Sequence, residues 1–148
     1  MNLAFVVQSL GVSEQNYDLT ILVEKINSET NKIVPYIFFQ NLFPPLANPK
    51  CVTMNISGLS NFSGKTVCFD LQTAQTVHNN NSNTENWLYL WDLPWLGNVL
   101  HYTACLELLS NFKIVARSES HKRNIEDFTG RSDIYLAKDM DELYKCLT

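Results

Sequence analysis

Glycine is scarce in this chain, five in 148 residues, and none of the five opens a phosphate-cradling loop. Gly11 stands alone behind the first apolar run, so neither G-x-G-x-x-G nor G-x-x-x-x-G-K-[ST] occurs. Dinucleotide or triphosphate binding of the usual kinds has no support, and no cofactor is expected. Cys51, Cys68, Cys105 and Cys146 are spread along the chain and never form C-x-x-C. Zinc sites need close ligand pairs, which His78, His101 and His121 do not supply either, so the thiols read as small buried apolar groups and no metal is expected. Basic residues are outnumbered, 11 against 15 acidic ones, for a net charge of −4. Nucleic-acid affinity rests on clustered Lys and Arg. The one basic cluster, Arg117 with His121, Lys122 and Arg123, is diluted by Glu119, Glu126 and Asp127, so a small anion fits better than a nucleic acid. No apolar run approaches the roughly 18 residues a bilayer crossing needs. Met1 to Val7 lacks a basic leader and a cleavage site, so a cytoplasmic protein without a membrane partner is expected, in a host cytoplasm if the abundant asparagine reflects an AT-rich viral genome.

What is present suits a globular α/β domain. Apolar residues make up 45% of the chain and charged ones 18%, far from a disordered composition. A chain of this length buries about 68–70% of its unfolded surface, enough for one core, and a single domain over 1–148 is expected. Leu3 to Leu10 reads as a buried strand ending at Gly11, with Ser13 capping a helix from Glu14 to Glu29 whose stripe is Leu19, Leu22, Val23 and Ile26. Ile33 to Phe39 is a second strand, with Pro35 at its beginning or on a sheet edge. Phe43 to Pro49 should be a surface loop, Cys51 to Ile56 a third strand, Gly58 to Gly64 a turn-rich link, Thr66 to Phe69 a fourth strand, and His78 to Asn86 a polar loop. Trp87 to Trp91 is apolar at every position, as in a central parallel strand covered on both faces. A helix then presents Val99, Tyr102, Thr103, Leu106 and Leu109 or Ser110, and Lys113 to Ala116 is the next strand. Ser118 caps a helix from Glu119 to Phe128 that Gly130 ends. Ile134 to Ala137 is the last strand, and Asp139 with Glu142 caps a final helix bearing Met140, Leu143, Tyr144 and Leu147. Alternating strands and helices predict a three-layer Rossmann-like domain with a mostly parallel sheet.

In such sheets ligands bind beyond the carboxyl ends of the strands. That rule selects Gly11 and Ser13, Asp70, Asp92, and Arg117, Ser118 and His121. Asp92, partly buried behind an aromatic strand, would be a catalytic base or orient a substrate hydroxyl; the plainer role is a cap on the turn before Pro94. Arg117 and Ser118 join a guanidinium, a hydroxyl and a helix start, a set that favours phosphate or carboxylate. Their plainer roles are an ion pair and a helix cap. The aromatic group Trp87, Tyr89, Trp91 and Trp95 reads as core before it reads as a stacking platform. No G-x-S-x-G elbow or nucleophile–base pair is evident from spacing.

The run Trp87-Leu-Tyr-Leu-Trp-Asp92, followed by a helix, by Lys113-Ile-Val-Ala-Arg-Ser-Glu-Ser-His121 and by Phe128-Thr-Gly130, resembles the N-terminal, acceptor-side Rossmann half of GT-B-type glycosyltransferases. The resemblance covers residues 87–137, and residues 2–80 by element order. It implies that loops around Gly11, Asp92 and Ser118 face an acceptor or the sugar-phosphate of a nucleotide-sugar. The family's first loop is often richer in glycine, and the nucleotide-binding second half has no counterpart in this sequence. Two functions follow: a transferase half that works with a second Rossmann domain or partner chain, or a non-catalytic ligand-binding or protein-interaction module on the same frame, as a homo-oligomer or with another protein, of phage origin. A flavodoxin-like domain would need an acidic pocket where Gln8 and Ser9 stand.

Overall fold

A computed structural model describes residues 1–29, 32–41, 48–80, 84–96 and 102–148. Among the described residues seven strands form one sheet in which every pairing is parallel. They are β1 (Asn2–Ser9), β2 (Val34–Asn41), β3 (Val52–Asn55), β4 (Gly64–Cys68), β5 (Thr84–Leu90), β6 (Lys113–Ala116) and β7 (Tyr135–Leu136). The helices are α1 (Glu14–Glu29), α2 (Leu71–Asn80), α3 (Tyr102–Ser110), α4 (Glu119–Thr129) and α5 (Met140–Leu147). Strand order across the sheet is β3-β2-β1-β4-β5-β6-β7, so the chain winds one way from β1 and then returns to wind the other way from β4. The expected three-layer Rossmann-like class is therefore the observed one.

Alternation along each buried strand divides the core. Leu3, Phe5 and Val7 of β1, Trp87 and Tyr89 of β5, and Val115 of β6 pack with α1 and α5. Ala4, Val6, Leu88, Leu90, Ile114 and Ala116 pack on the opposite face with residues of α2, α3 and α4. A stretch of strand buried on both faces must be apolar at every position, which is why Trp87 to Leu90 of β5 reads as a continuous run. Pro35 is the second residue of β2, which lies between β1 and β3, so it marks the strand's beginning and not a sheet edge.

Caps fall where the sequence puts them. Ser118 Oγ accepts from His121 N at 3.2 Å, and Gly130 ends α4 at φ 69°. Asp139 Oδ1 accepts from Glu142 N at 2.8 Å, while Glu142 reaches back to Lys138 N instead of to the cap residue's own amide.

Three expectations are corrected. The polar loop over His78 to Asn86 is helix as far as Asn80, because Asp70 caps α2 through Thr73 N at 2.8 Å and Thr73, Ala74 and Val77 give the helix a buried face. Thr84 to Asn86 already belong to β5, where Asn86 Oδ1 accepts from Thr66 and Thr84. The link over Gly58 to Gly64 contains a 3₁₀ turn, Ile56–Asn61, started by Asn55. On α3 the core-facing residues are Cys105, Leu108 and Leu109, whereas Tyr102, Thr103 and Leu106 are exposed. Tyr102 instead packs edge to face with Phe128, the ring centres 4.5 Å apart. Val99, His101 and most of the proline-rich loop from Phe43 lie outside the described residues.

Candidate functional site

The two winding directions part between β1 and β4, and the carboxyl ends of these strands leave a crevice there. It is a cavity of about 240 Å³ lined by Val7, Gln8, Ser9, Ser13, Gln15, Asn16 and Asp70. Ser13 Oγ accepts from Asn16 N at 3.1 Å, so its hydroxyl caps α1. Asn16 is 8% exposed, and its amide donates to Ser9 O at 2.9 Å and to Gly11 O at 2.6 Å, which fixes the loop leaving β1. Asp70 has one carboxylate oxygen committed to Thr73 N. The starts of α1 and α2 thus meet at a crevice lined by amides, hydroxyls and one carboxylate, with no lysine or arginine among the described residues of its wall.

A second group lies farther along the same rim. Leu90 pairs with Ala116, so the residues that follow the two strands, Trp91 and Asp92 after β5 and Arg117 and Ser118 after β6, leave the sheet at the same rim. The common edge expected for Asp92 and Ser118 is present. From β1 to β6 there are three strand spacings, roughly 14 Å. Gly11 and Ser13 therefore belong to one locus, and Asp92, Arg117, Ser118 and His121 to another.

Within the second locus the side chains differ in what they have free. Asp92 is exposed, so the partial burial expected of a catalytic base is missing, and it makes no side-chain hydrogen bond among the described residues. Ser118 is occupied by its cap and by Ser120 Oγ at 3.0 Å. Arg117 is half-buried with its Cζ 3.6 Å from the centre of the Trp91 ring. No ion pair among the described residues includes it, and its Nε is buried without a partner. His121 Nδ1 is likewise buried and unpartnered. Tyr89 donates its hydroxyl to Ala137 O at 3.1 Å. Burial raises the pKa of that phenol, and the neighbouring Arg117 charge opposes the rise.

Asn16, Gln8 and Gln15 were not singled out from sequence. The signal was there for Asn16: it continues the buried stripe Leu19, Val23 and Ile26 one turn toward the helix start, and a polar residue on a buried stripe has to bond something. All four thiols are free, two of them buried, and no group of three His, Cys, Asp or Glu side chains among the described residues could hold a metal ion. No helix among the described residues is long and apolar enough to cross a membrane. What the geometry defines is a Rossmann-like α/β domain with a polar crevice at the strand-order reversal and a separate cationic-aromatic group on the same rim. No protein-family model matches the chain, and no curated protein is similar to it.

Proposed function

We propose that this is the acceptor-side half of a GT-B-like glycosyltransferase, binding a hydroxyl-rich, sugar-type ligand in the crevice between β1 and β4. The supporting observation is the composition of the crevice wall: Gln8, Ser9, Ser13, Gln15, Asn16 and Asp70 offer paired donors and acceptors to hydroxyl groups and no positive charge to a phosphate. A nucleotide-sugar donor would be held mainly by a second Rossmann domain or a partner chain. On its own the chain binds without transferring, and its place is the cytoplasm.

Thermal-shift screening tests this reading with monosaccharides and disaccharides, UDP, GDP and nucleotide-sugars. A ligand at 100 times its dissociation constant adds about 2.7 kcal/mol to stability. Asp70→Asn keeps a side chain that caps a helix about as well as aspartate while removing the carboxylate's second acceptor, so it should weaken sugar binding without unfolding α2. The reading fails if no sugar and no nucleotide-sugar stabilises the protein, or if Asp70→Asn leaves the stabilisation unchanged.

A further inference from the structure

Among the described residues Arg117 has no counter-ion, in a chain whose acidic residues outnumber its basic ones. Its position is not accidental to the fold. The backbone carbonyl of Ala137 receives the Tyr89 hydroxyl at 3.1 Å, Tyr89 meets Trp91 edge to face at 6.0 Å, and Trp91 in turn underlies the guanidinium at 3.6 Å. Each ring is fixed by the one deeper in the sheet, so the plane of the guanidinium is set before anything binds. A fork held flat in this way loses little freedom when two parallel hydrogen bonds form. Its Nε is buried with no partner of its own among the described residues, while the guanidinium lies within side-chain hydrogen-bonding reach of the Tyr89 hydroxyl. Stacking leaves the remaining edge of the guanidinium, on a half-buried side chain, as the direction from which an anion can come.

We propose that Arg117, held on Trp91, is the anchor of a second binding site on the rim, for an oxyanion with two terminal oxygens, a phosphate monoester or a carboxylate carried by a small molecule. A planar pair of oxygens meets the guanidinium edge bidentately, which is the arrangement that arginine favours over lysine. The site stands two strands away from the β4 side of the crevice and does not depend on what binds there. Ser118 is no part of it, since its hydroxyl already caps α4.

The test follows the Arg117 Nε–H resonance of the folded protein while inorganic phosphate, and separately acetate, is added. Saturable movement of that resonance, together with the Trp91 indole signal, is expected. Movement with phosphate alone assigns the site to phosphorylated ligands, and movement with acetate assigns it to carboxylates. Arg117→Lys keeps the charge and much of the cover over Trp91 but loses the fork, so the dissociation constant should rise about tenfold or more. Asp70→Asn, which disables the crevice, should leave the anion's affinity as it was, separating this site from the sugar reading. An Arg117 Nε–H unmoved by both anions overturns the proposal, whatever the variants do. So does an unchanged affinity in Arg117→Lys, which would make the stack a cover for Trp91 and nothing more.

Discussion

Asn16→Asp replaces one buried side chain by another of the same size and shape, so it opens no cavity and isolates the polar chemistry of the crevice loop. The wild-type amide donates twice, to Ser9 O at 2.9 Å and to Gly11 O at 2.6 Å. A carboxylate can donate neither bond and would face two carbonyl oxygens at those distances. Losing two hydrogen bonds at about 1 kcal/mol each, with an ionised group 8% exposed in their place, destabilises the fold by about 2–4 kcal/mol at neutral pH. Burial and the facing carbonyl dipoles raise the pKa of the new carboxyl in the folded state above its unfolded value of about 3.9. Between those two values the folded protein holds the extra proton, so stability falls as pH rises, and the deficit levels off once pH exceeds the folded-state pKa. At acid pH the protonated group restores one donor, and most of the deficit should disappear. Urea unfolding of wild type and variant across this pH range measures the difference directly. A deficit that does not change with pH, or one below about 0.5 kcal/mol at neutrality, would refute the claim that Asn16 holds the loop through its two donated bonds.

At the opposite edge of the sheet, Glu85 accepts from Lys113 at 2.7 Å and from Trp87 Nε1 at 3.0 Å, and lies 3.9 Å from Lys65. Its hydrogen bond to Lys113, more than any other influence, holds its pKa below the usual value. Because the group is 38% exposed, Glu85→Gln should cost no more than about 1 kcal/mol at neutral pH. That stability is present above the unfolded pKa and lost as pH falls through the depressed folded one, so the gap between variant and wild type in urea unfolding should close in acid. Burial raises all four thiol pKa values, that of Cys51 to about 11, so a disulfide reagent near neutral pH should label the native protein slowly, Cys68 only on unfolding; a fast-reacting thiol would contradict this. At Gly64, φ is 149° and an added Cβ would lie 2.4 Å from Asn2 O, so Gly64→Ala must part β4 from β1 at a cost above about 2 kcal/mol. Gly130→Ala meets no atom within 4 Å and should lose only the left-handed strain of about 1 kcal/mol; thermal unfolding that ranks the two the other way would overturn the comparison.

The parallel sheet was legible because burial on both faces writes itself into sequence: Leu3 to Val7 and Trp87 to Leu90 have no polar break, and Ser13, Ser118 and Asp139 each stand one residue before a helix. α2 was not legible, since its buried face is only Thr73, Ala74 and Val77 and the rest of Leu71 to Asn80 is amide and hydroxyl. Its start was readable in principle from Asp70, three residues before Thr73. α3 has apolar side chains on most of its circumference, so periodicity cannot choose a face; the choice is made by Phe112, which enters the core just before β6 and draws Leu108 and Leu109 with it. For the site, end-of-strand reasoning selects Gly11, Ser13, Asp70, Asp92, Arg117, Ser118 and His121. It could not divide them into two loci, because which strands lie next to one another is a property of strand order, β1 beside β4 and not beside β6.

Polar satisfaction separates the two ends of the sheet. At the amino edge nearly every charge has an answer within the chain: the terminal ammonium donates to Lys32 O at 2.6 Å, Lys65 to Leu147 O at 2.6 Å, Asn2 to Ser63 O at 3.2 Å, and Glu85 joins Lys65, Lys113 and Trp87. Tyr135 packs on Trp87 from the far strand, its ring 5.0 Å away, and closes that edge. At the carboxyl edge Arg117 Nε and His121 Nδ1 are buried without partners, and Asp92 and Gln8 face solvent. Leaving buried donors unanswered lowers stability, so a fold that satisfies one edge and not the other has its polar deficit where ligands reach a parallel sheet. A ligand proposed at this rim would answer that asymmetry more than it would answer any one residue. The crevice at β1 and β4 and the stacked arginine beyond β6 are two separate expressions of it, since even the two strand spacings from β4 to β6, roughly 10 Å, exceed what one small oxyanion can span.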